Sequence, residues 1–206
     1  MTDRHLEIAR RLHALARTGL HFCADEYDRQ RYEEIEALAV ELLAGSSDIE
    51  QARLTALWAH ETGYVTPKVE VRGATFDGQG RVLLVRERAD GRWTLPGGWA
   101  DVNESPSQSV EKEIEQESGY LARAVKLAAL YDRSRHGHGP SLFQSWKAFF
   151  LCEIHGGHAR GSYETDAVEF FALDALPAMS TGRSTPRQVR RMYEHWVMRE
   201  LPADFD

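Results

Sequence analysis

Glu113, Gln116 and Glu117 stand three and four residues apart, a spacing that puts their side chains on one face of an α-helix. Carboxylates at i and i+4 repel each other and weaken an isolated helix slightly. A divalent cation reverses the sign of that interaction, because carboxylate oxygens are the ligands that hard Mg²⁺ takes. From Trp99 to Tyr120 the chain carries Asp101, Glu104, Glu111, Glu113, Glu115 and Glu117 against Lys112 alone. A cluster this dense is either a solvated helix face or a cation site. The lead-in Leu95-Pro96-Gly97-Gly98-Trp99 favours the second reading. Two glycines permit a close backbone approach, so a main-chain carbonyl near Gly97-Gly98 can join the carboxylates on a metal.

The signals that position this helix are explicit. Ser105 is suited to the N-cap, Pro106 to the first helical position, and Gln108 completes a capping box. Ser118-Gly119 is the matching stop. The spacing predicts a helix over 106–118, with Val110 and Ile114 turned aside to anchor it on a core.

The segment resembles the Nudix box: a glycine, five residues, a glutamate, seven residues, then Arg-Glu-apolar-any-Glu-Glu-any-Gly-apolar. Those positions are Gly98, Glu104, Lys112, Glu113, Ile114, Glu115, Gln116, Glu117, Ser118, Gly119 and Tyr120. Two depart from the pattern. Lys112 replaces an arginine, keeping the charge but losing the bidentate fork. Gln116 replaces a glutamate, keeping an oxygen but no charge. The resemblance extends to Arg17-Thr18-Gly19-Leu20, Tyr27-Asp28, Arg31-Tyr32-Glu33-Glu34, Gly97-Gly98-Trp99-Ala100-Asp101-Val102, Tyr131-Asp132-Arg133 and the run Lys147 to Ile154. These are similar to a Nudix branch with an N-terminal helical extension that acts on X-linked nucleoside diphosphates.

The resemblance implies a Nudix α/β/α sandwich around a mixed sheet, within the α+β class. It further implies a homodimer formed through the helical extension, and metal-dependent hydrolysis of a nucleoside diphosphate-X such as CDP-choline or ADP-ribose. Mg²⁺ or Mn²⁺ is the implied cofactor, held by Glu113 and Glu117, with Gly98, Glu104 and Gln116 assisting. Pyrophosphate hydrolysis also calls for a general base, often a carboxylate on a loop outside the helix. Glu164, in the loop Gly161 to Asp166, is the candidate, with Glu117 as the alternative. The substrate-facing candidates are Arg86 and Arg88 at a strand end, with Arg133 and Trp99 added by their places in the resembling segments. His136 and His138 share a Gly-rich loop with Arg133 and read as flexible rather than as a metal site.

The elements around the site follow from periodicity. Residues 1 to about 62 read as helical. Leu6, Ala9, Leu12 and Ala16 make one face of a first helix. Ile35, Leu38, Ala39, Leu42 and Leu43 make a second, with Gly45 as a left-handed cap. A third is expected from a Ser47–Glu50 capping box through Trp58, closed by Gly63. At Thr66-Pro67 the period changes. Strands are expected over 69–76 and 81–86 around the turn Asp77-Gly78-Gln79-Gly80, then near 124–131, 146–154 and 168–173 in hairpin-like succession. A last helix starts at Ser184-Thr185-Pro186, with Val189, Met192, Tyr193 and Trp196 on one face. The expected division is 1–64, a helical dimerisation subdomain, and 65–206, the hydrolase domain.

Bulk properties narrow the class of function. A net charge of −7 disfavours non-specific binding to nucleic acid or anionic membrane, so exonucleolytic action on short RNA 3′ ends is secondary. A nucleotide-binding sensor with weak catalysis is the other alternative, suggested by Gln116. Cys23 and Cys152 form no Cys-rich site and suit a reducing compartment. The N-terminal stretch is too charged for a signal peptide, and no apolar run reaches membrane-spanning length. The expectation is a cytoplasmic protein.

Overall fold

In the computed structural model, residues 3–206 are described, and they form two compact units. One comprises the described residues up to Pro67 together with Pro140–Gln144; the other comprises Lys68–Gly139 and Ser145–Asp206. The small insert at 140–144 therefore belongs with the helical unit, a feature that no local periodicity announces.

The helical unit contains α1 (Asp3–Phe22), α2 (Glu26–Ala44) and α3 (Gln51–Trp58). Leu6, Ala9, Ala39, Val40, Leu43, Leu54 and Trp58 form its core, with Leu142 and Phe143 packed against them. Gly19 lies directly beneath the Tyr32 ring, where any Cβ would come within 2.3 Å of it. Three expected end signals are not used. The C-cap of α3 is Ala59 rather than Gly63. Gly45 is right-handed, at φ −67°, and closes α2 through its N–H to Glu41 O and Leu43 O. The Ser47–Glu50 box does not form: Glu50 is itself the N-cap of α3, and the Ser47 hydroxyl donates back to Leu43 O at 2.8 Å. A serine so near a helix end finds an orphan carbonyl as readily as an orphan amide.

The second unit runs β1 (Lys68–Thr75), β2 (Val82–Glu87), β3 (Trp93–Thr94), α4 (Pro106–Ser118), β4 (Tyr120–Asp132), β5 (Ser145–Gly157), β6 (Thr165–Phe171), α5 (Pro186–Val197) and β7 (Asp204–Phe205). A four-stranded sheet has the order β1-β5-β4-β7, and a three-stranded sheet the order β3-β2-β6. β1 and β2 do not form a hairpin. β1 runs parallel to β5, β2 runs antiparallel to β3 and β6, and one bridge, Phe76–Val82, joins the pair. Val82 to Val85 and Val71 to Thr75 are buried throughout, so both strands need cover on two faces. Asp77 turns the corner between sheets by accepting from the N–H groups of Gln79 and Arg81.

One face of the β1-β5-β4 sheet packs on α4 through Val71, Val110, Ile114, Ala122, Ala148, Phe150 and Cys152. The other face meets β2 and α5 through Ala74, Phe149, Leu151, Val82, Leu84, Val189 and Met192. The result is the α+β sandwich with mixed pairing that the resemblance implies, with α4 outside one face. Gly73 lets α4 seat closely, since a Cβ there would meet Ile114 Cδ1 at 2.6 Å. Both cysteines are free. No described helix is long and apolar enough to cross a membrane.

Candidate active site at the Gly97–Gly98 strap

Helix α4 begins and ends where its signals place it. Ser105 and Gln108 form the reciprocal capping box, and Gly119 closes the helix in the left-handed conformation at φ +76°. The segment before it crosses the edge of β1 as a strap. Gly73 N–H donates to Pro96 O at 2.9 Å, Val71 N–H to Gly98 O at 2.8 Å, and Ala100 N–H to Val69 O at 3.0 Å. This pairing commits the carbonyls of Pro96 and Gly98 to β1, while Gly97 N–H donates to Glu117 Oε2 at 2.9 Å. Gly97 has φ +144°, and a Cβ on it would sit 2.0 Å from Val71 O. Only glycine satisfies both the torsion and the approach. At Gly98 a Cβ would lie 2.5 Å from Glu113 Oε1, so the Glu113 carboxylate rests on the strap itself.

Glu117 is 5 % exposed, and burial pushes its carboxyl up to about 8 against the opposing pull of Arg72 and the Gly97 N–H. Burial likewise raises Glu113; Arg72 opposes this and the charge of Glu164 adds to it. Two carboxyls whose burial disfavours the charged form, set beside a backbone strap, are stabilised as anions by a cation. Among the described residues, no three His, Cys, Asp or Glu side chains are grouped to hold a metal. Two carboxylates plus backbone and water oxygens nevertheless suit Mg²⁺, which commonly takes one or two carboxylates and keeps several waters.

The other expected residues divide. Glu164 is exposed on the loop ahead of β6, and its charge acts on both Glu113 and Glu87. That loop is fixed from beneath: the Thr165 hydroxyl donates to Glu117 O at 2.6 Å, and Glu164 O accepts from Arg88 N–H at 2.8 Å. The Arg88 guanidinium stays exposed, near Ser162 O at 3.4 Å. Arg86, by contrast, is engaged by Asp166 at 2.7 Å and lies over the Trp93 ring. Glu104 is engaged by Lys112 Nζ at 2.7 Å and by the Ser109 hydroxyl, with Asp101 on the same ammonium. It thereby braces the loop before α4. Gln116 faces solvent and Trp99 is half exposed. Arg133 Nη1 donates to Gly139 O at 2.6 Å.

The histidine loop is not loose. His136 stacks on Tyr131 and pairs with Asp206, and His138 bridges Thr181 O and the Gln188 amide. The Gln188 amide nitrogen and the His138 ring thus tie the loop to the first turn of α5.

Four charged groups for which no role was expected lie under the site. Glu70, Arg72, Lys147 and Glu87 are all buried, and Glu87 pairs with Arg183 at 2.9 Å. Arg72 acts on Glu113, Glu117 and Glu87 together. Charge in a strand reads as solvent-facing unless its partner is known, and the partners here are remote in sequence.

A mixed sandwich carrying paired glutamates on a helix behind a glycine strap defines a class of protein, and comparison with known families agrees with it. Residues 60–193 match the NUDIX domain, and residues 3–58 match a family described as a UDP-X-like, N-terminal oligomerisation domain. This chain belongs to the NUDIX family of pyrophosphatases. It is 41 % identical over 189 residues to a putative ADP-ribose pyrophosphatase of Bacillus subtilis, covering 92 % of this chain and 90 % of that one. A solved UDP-X diphosphatase is similar over the whole of both chains, with 30 % identity and a TM-score of 0.64. The solved ADP-ribose pyrophosphatase of Streptococcus suis is 36 % identical and matches 68 % of this chain and all of its own, with a TM-score of 0.63.

Proposed function

We propose that the protein hydrolyses the pyrophosphate linkage of a nucleoside diphosphate-X, releasing a nucleoside monophosphate and X-phosphate, with Mg²⁺ or Mn²⁺ as cofactor. The observation that carries this reading is the Glu113–Glu117 pair set against the Gly97–Gly98 strap. In this reading the two carboxylates hold the cation, and the backbone at Gly97 and the side chains of Glu104 and Gln116 assist directly or through water. A bound divalent cation polarises phosphoryl oxygens and neutralises the charge that develops on them.

The chain's own residues supply the remainder. Glu164, exposed beside Glu113 and anchored through Thr165, accepts the proton of the attacking water. Arg88 and Arg133 meet phosphate oxygens as fixed cations, and Trp99 offers a ring face for a base. Arg86 steadies the strand end through Asp166 rather than reaching substrate. ADP-ribose and UDP-linked compounds are the first substrates to test, because the similar proteins bear those names. CDP-choline, which the sequence resemblance suggests, is next.

The helical unit is proposed to pair two copies of the chain. Its exposed Ile8, Leu15, Phe22 and Leu38 and its match to an oligomerisation family support this.

The test is turnover of ADP-ribose, UDP-sugars, CDP-choline and dinucleoside polyphosphates with Mg²⁺ or Mn²⁺, with products identified by mass. Glu117→Gln should remove metal-dependent turnover while the fold is kept. Undiminished activity in that variant overturns the assignment.

A further inference from the structure

Three charged side chains lie buried on the face of β1 and β5 that is turned away from α4. They are Glu70, Arg72 and Lys147, and Lys147 is wholly buried. A single oxygen, Glu70 Oε1, accepts Arg72 Nε at 2.8 Å, Arg72 Nη2 at 2.5 Å and Lys147 Nζ at 2.6 Å. The remaining donors leave the cluster for backbone. Arg72 Nη1 donates to Leu95 O at 3.0 Å, and Lys147 Nζ to Arg183 O at 2.8 Å. Buried ion pairs stabilise folds poorly, since apolar side chains of the same volume often do as well or better. Such a triad is therefore better explained by what it holds.

Arg72 lies at the centre of the strap's attachment. Its neighbours Val71 and Gly73 bond Gly98 O and Pro96 O. Gly97 passes so close that a Cβ on it would meet Arg72 Cα at 2.9 Å. The Arg72 guanidinium then fixes the strap's first carbonyl, at Leu95. From the same strap, Gly97 N–H reaches Glu117 and Gly98 supports Glu113. Any lateral shift of Leu95–Gly98 therefore moves both carboxylates relative to each other.

We propose that Arg72 is a positioning residue: oriented by Glu70 and Lys147, its guanidinium fork sets the Leu95–Gly98 strap and so the geometry of the Glu113–Glu117 pair. This rests on the reading of that pair as a cation site. A mere neighbouring charge and a positioning fork make opposite predictions. Arg72→Lys keeps the charge but loses the planar fork. Removing a buried cation that does no positioning should strengthen binding of a divalent cation, because repulsion is lost.

The experiment is titration of the full chain with Mn²⁺ alone, followed by electron paramagnetic resonance, without substrate. Positioning predicts that Arg72→Lys weakens Mn²⁺ binding by about 10- to 100-fold, the range for residues that orient metal ligands. Lys147→Met, which removes a charge at similar volume, should weaken it in the same direction. Thermal melts establish that each variant is folded, and Lys147→Met carries the test if Arg72→Lys does not fold. Unchanged affinity in Arg72→Lys, or tighter Mn²⁺ binding in Lys147→Met, overturns the proposal. Failure of the wild type to bind Mn²⁺ overturns the cation-site reading along with it. Intact Mn²⁺ binding without turnover of any tested nucleotide bears on the substrate alone.

Discussion

Gly97 and Gly98 are adjacent, yet the structure assigns them different jobs, and a pair of alanine substitutions separates the two. At Gly98 the added Cβ would lie 2.5 Å from Glu113 Oε1 and 3.1 Å from its Cδ, while ordinary contact begins at 3.4 Å. The obstacle is the end of a flexible side chain, which can retreat by about 0.9 Å at little cost to the fold. A displacement of that size at a reacting centre costs on the order of 10²-fold in rate. Gly98→Ala should therefore lose roughly 10²-fold in kcat/KM and melt within about 4 °C of wild type, equivalent to about 1 kcal/mol in a chain this long. At Gly97 the obstacle is backbone, with Val71 O at 2.0 Å and Arg72 Cα at 2.9 Å, and φ is +144°. Neither can yield without lifting the strap off β1. Gly97→Ala should cost about 3 kcal/mol or more in strain and broken pairing, a fall in melting temperature of roughly 6–12 °C. The assay is steady-state hydrolysis beside calorimetric melting on the same preparations. Full activity in Gly98→Ala, or equal melting losses in the two variants, would refute the division of roles.

Three further outcomes follow from the same geometry. Thr165→Val removes the 2.6 Å bond to Glu117 O and should destabilise by about 1–3 kcal/mol, lowering kcat more than it changes KM, as measured by urea unfolding and initial rates. His138 donates Nδ1–H to Thr181 O and accepts the Gln188 amide at Nε2, so protonation would set a donor against a donor. Burial, with help from the Lys147 charge, lowers its value from 6.5 to about 4. The unfolded chain then binds the extra proton between those limits, and this group's contribution to stability falls as pH drops from 6.5 towards 4. Urea midpoints at pH 7.5, 6 and 5 should decline less steeply in His138→Gln, and parallel declines would remove His138 as the cause. Thr185→Ala, which breaks the box that starts α5, should cost about 1 kcal/mol by the same measurement.

The parts of this protein that the sequence alone determined are those governed by local physics. Helix α4 was legible to its ends because Ser105, Pro106, Gln108 and Gly119 act on backbone within one turn. Glu113 and Glu117 were legible because helical periodicity needs no partner to be known. The same holds for α5, opened by Thr185, Pro186 and Gln188. Local signals misled where two local uses compete, as with Ser47, whose hydroxyl turned back to α2, and Gly45, which kept right-handed torsions.

Tertiary structure decided everything that depends on a distant partner. β1 and β2 read as neighbours, yet each buries two faces, so they part into separate sheets and β1 finds β5. The insert at 140–144 joined the helical unit for the same reason, since Leu142 and Phe143 find apolar cover there. Glu104 reads as an assisting ligand in the box, and only the tertiary structure shows that Lys112 and Ser109 also hold it. Glu70 and Arg72 lie in a strand legible from its apolar residues, and nothing local marks either for a role. Only the parallel register that sets Lys147 beside Glu70, and the strap that lays Leu95 O over Arg72, makes them the buried support of the site. Charge can be buried where its partners are exact in position, and position is what a one-dimensional pattern does not carry.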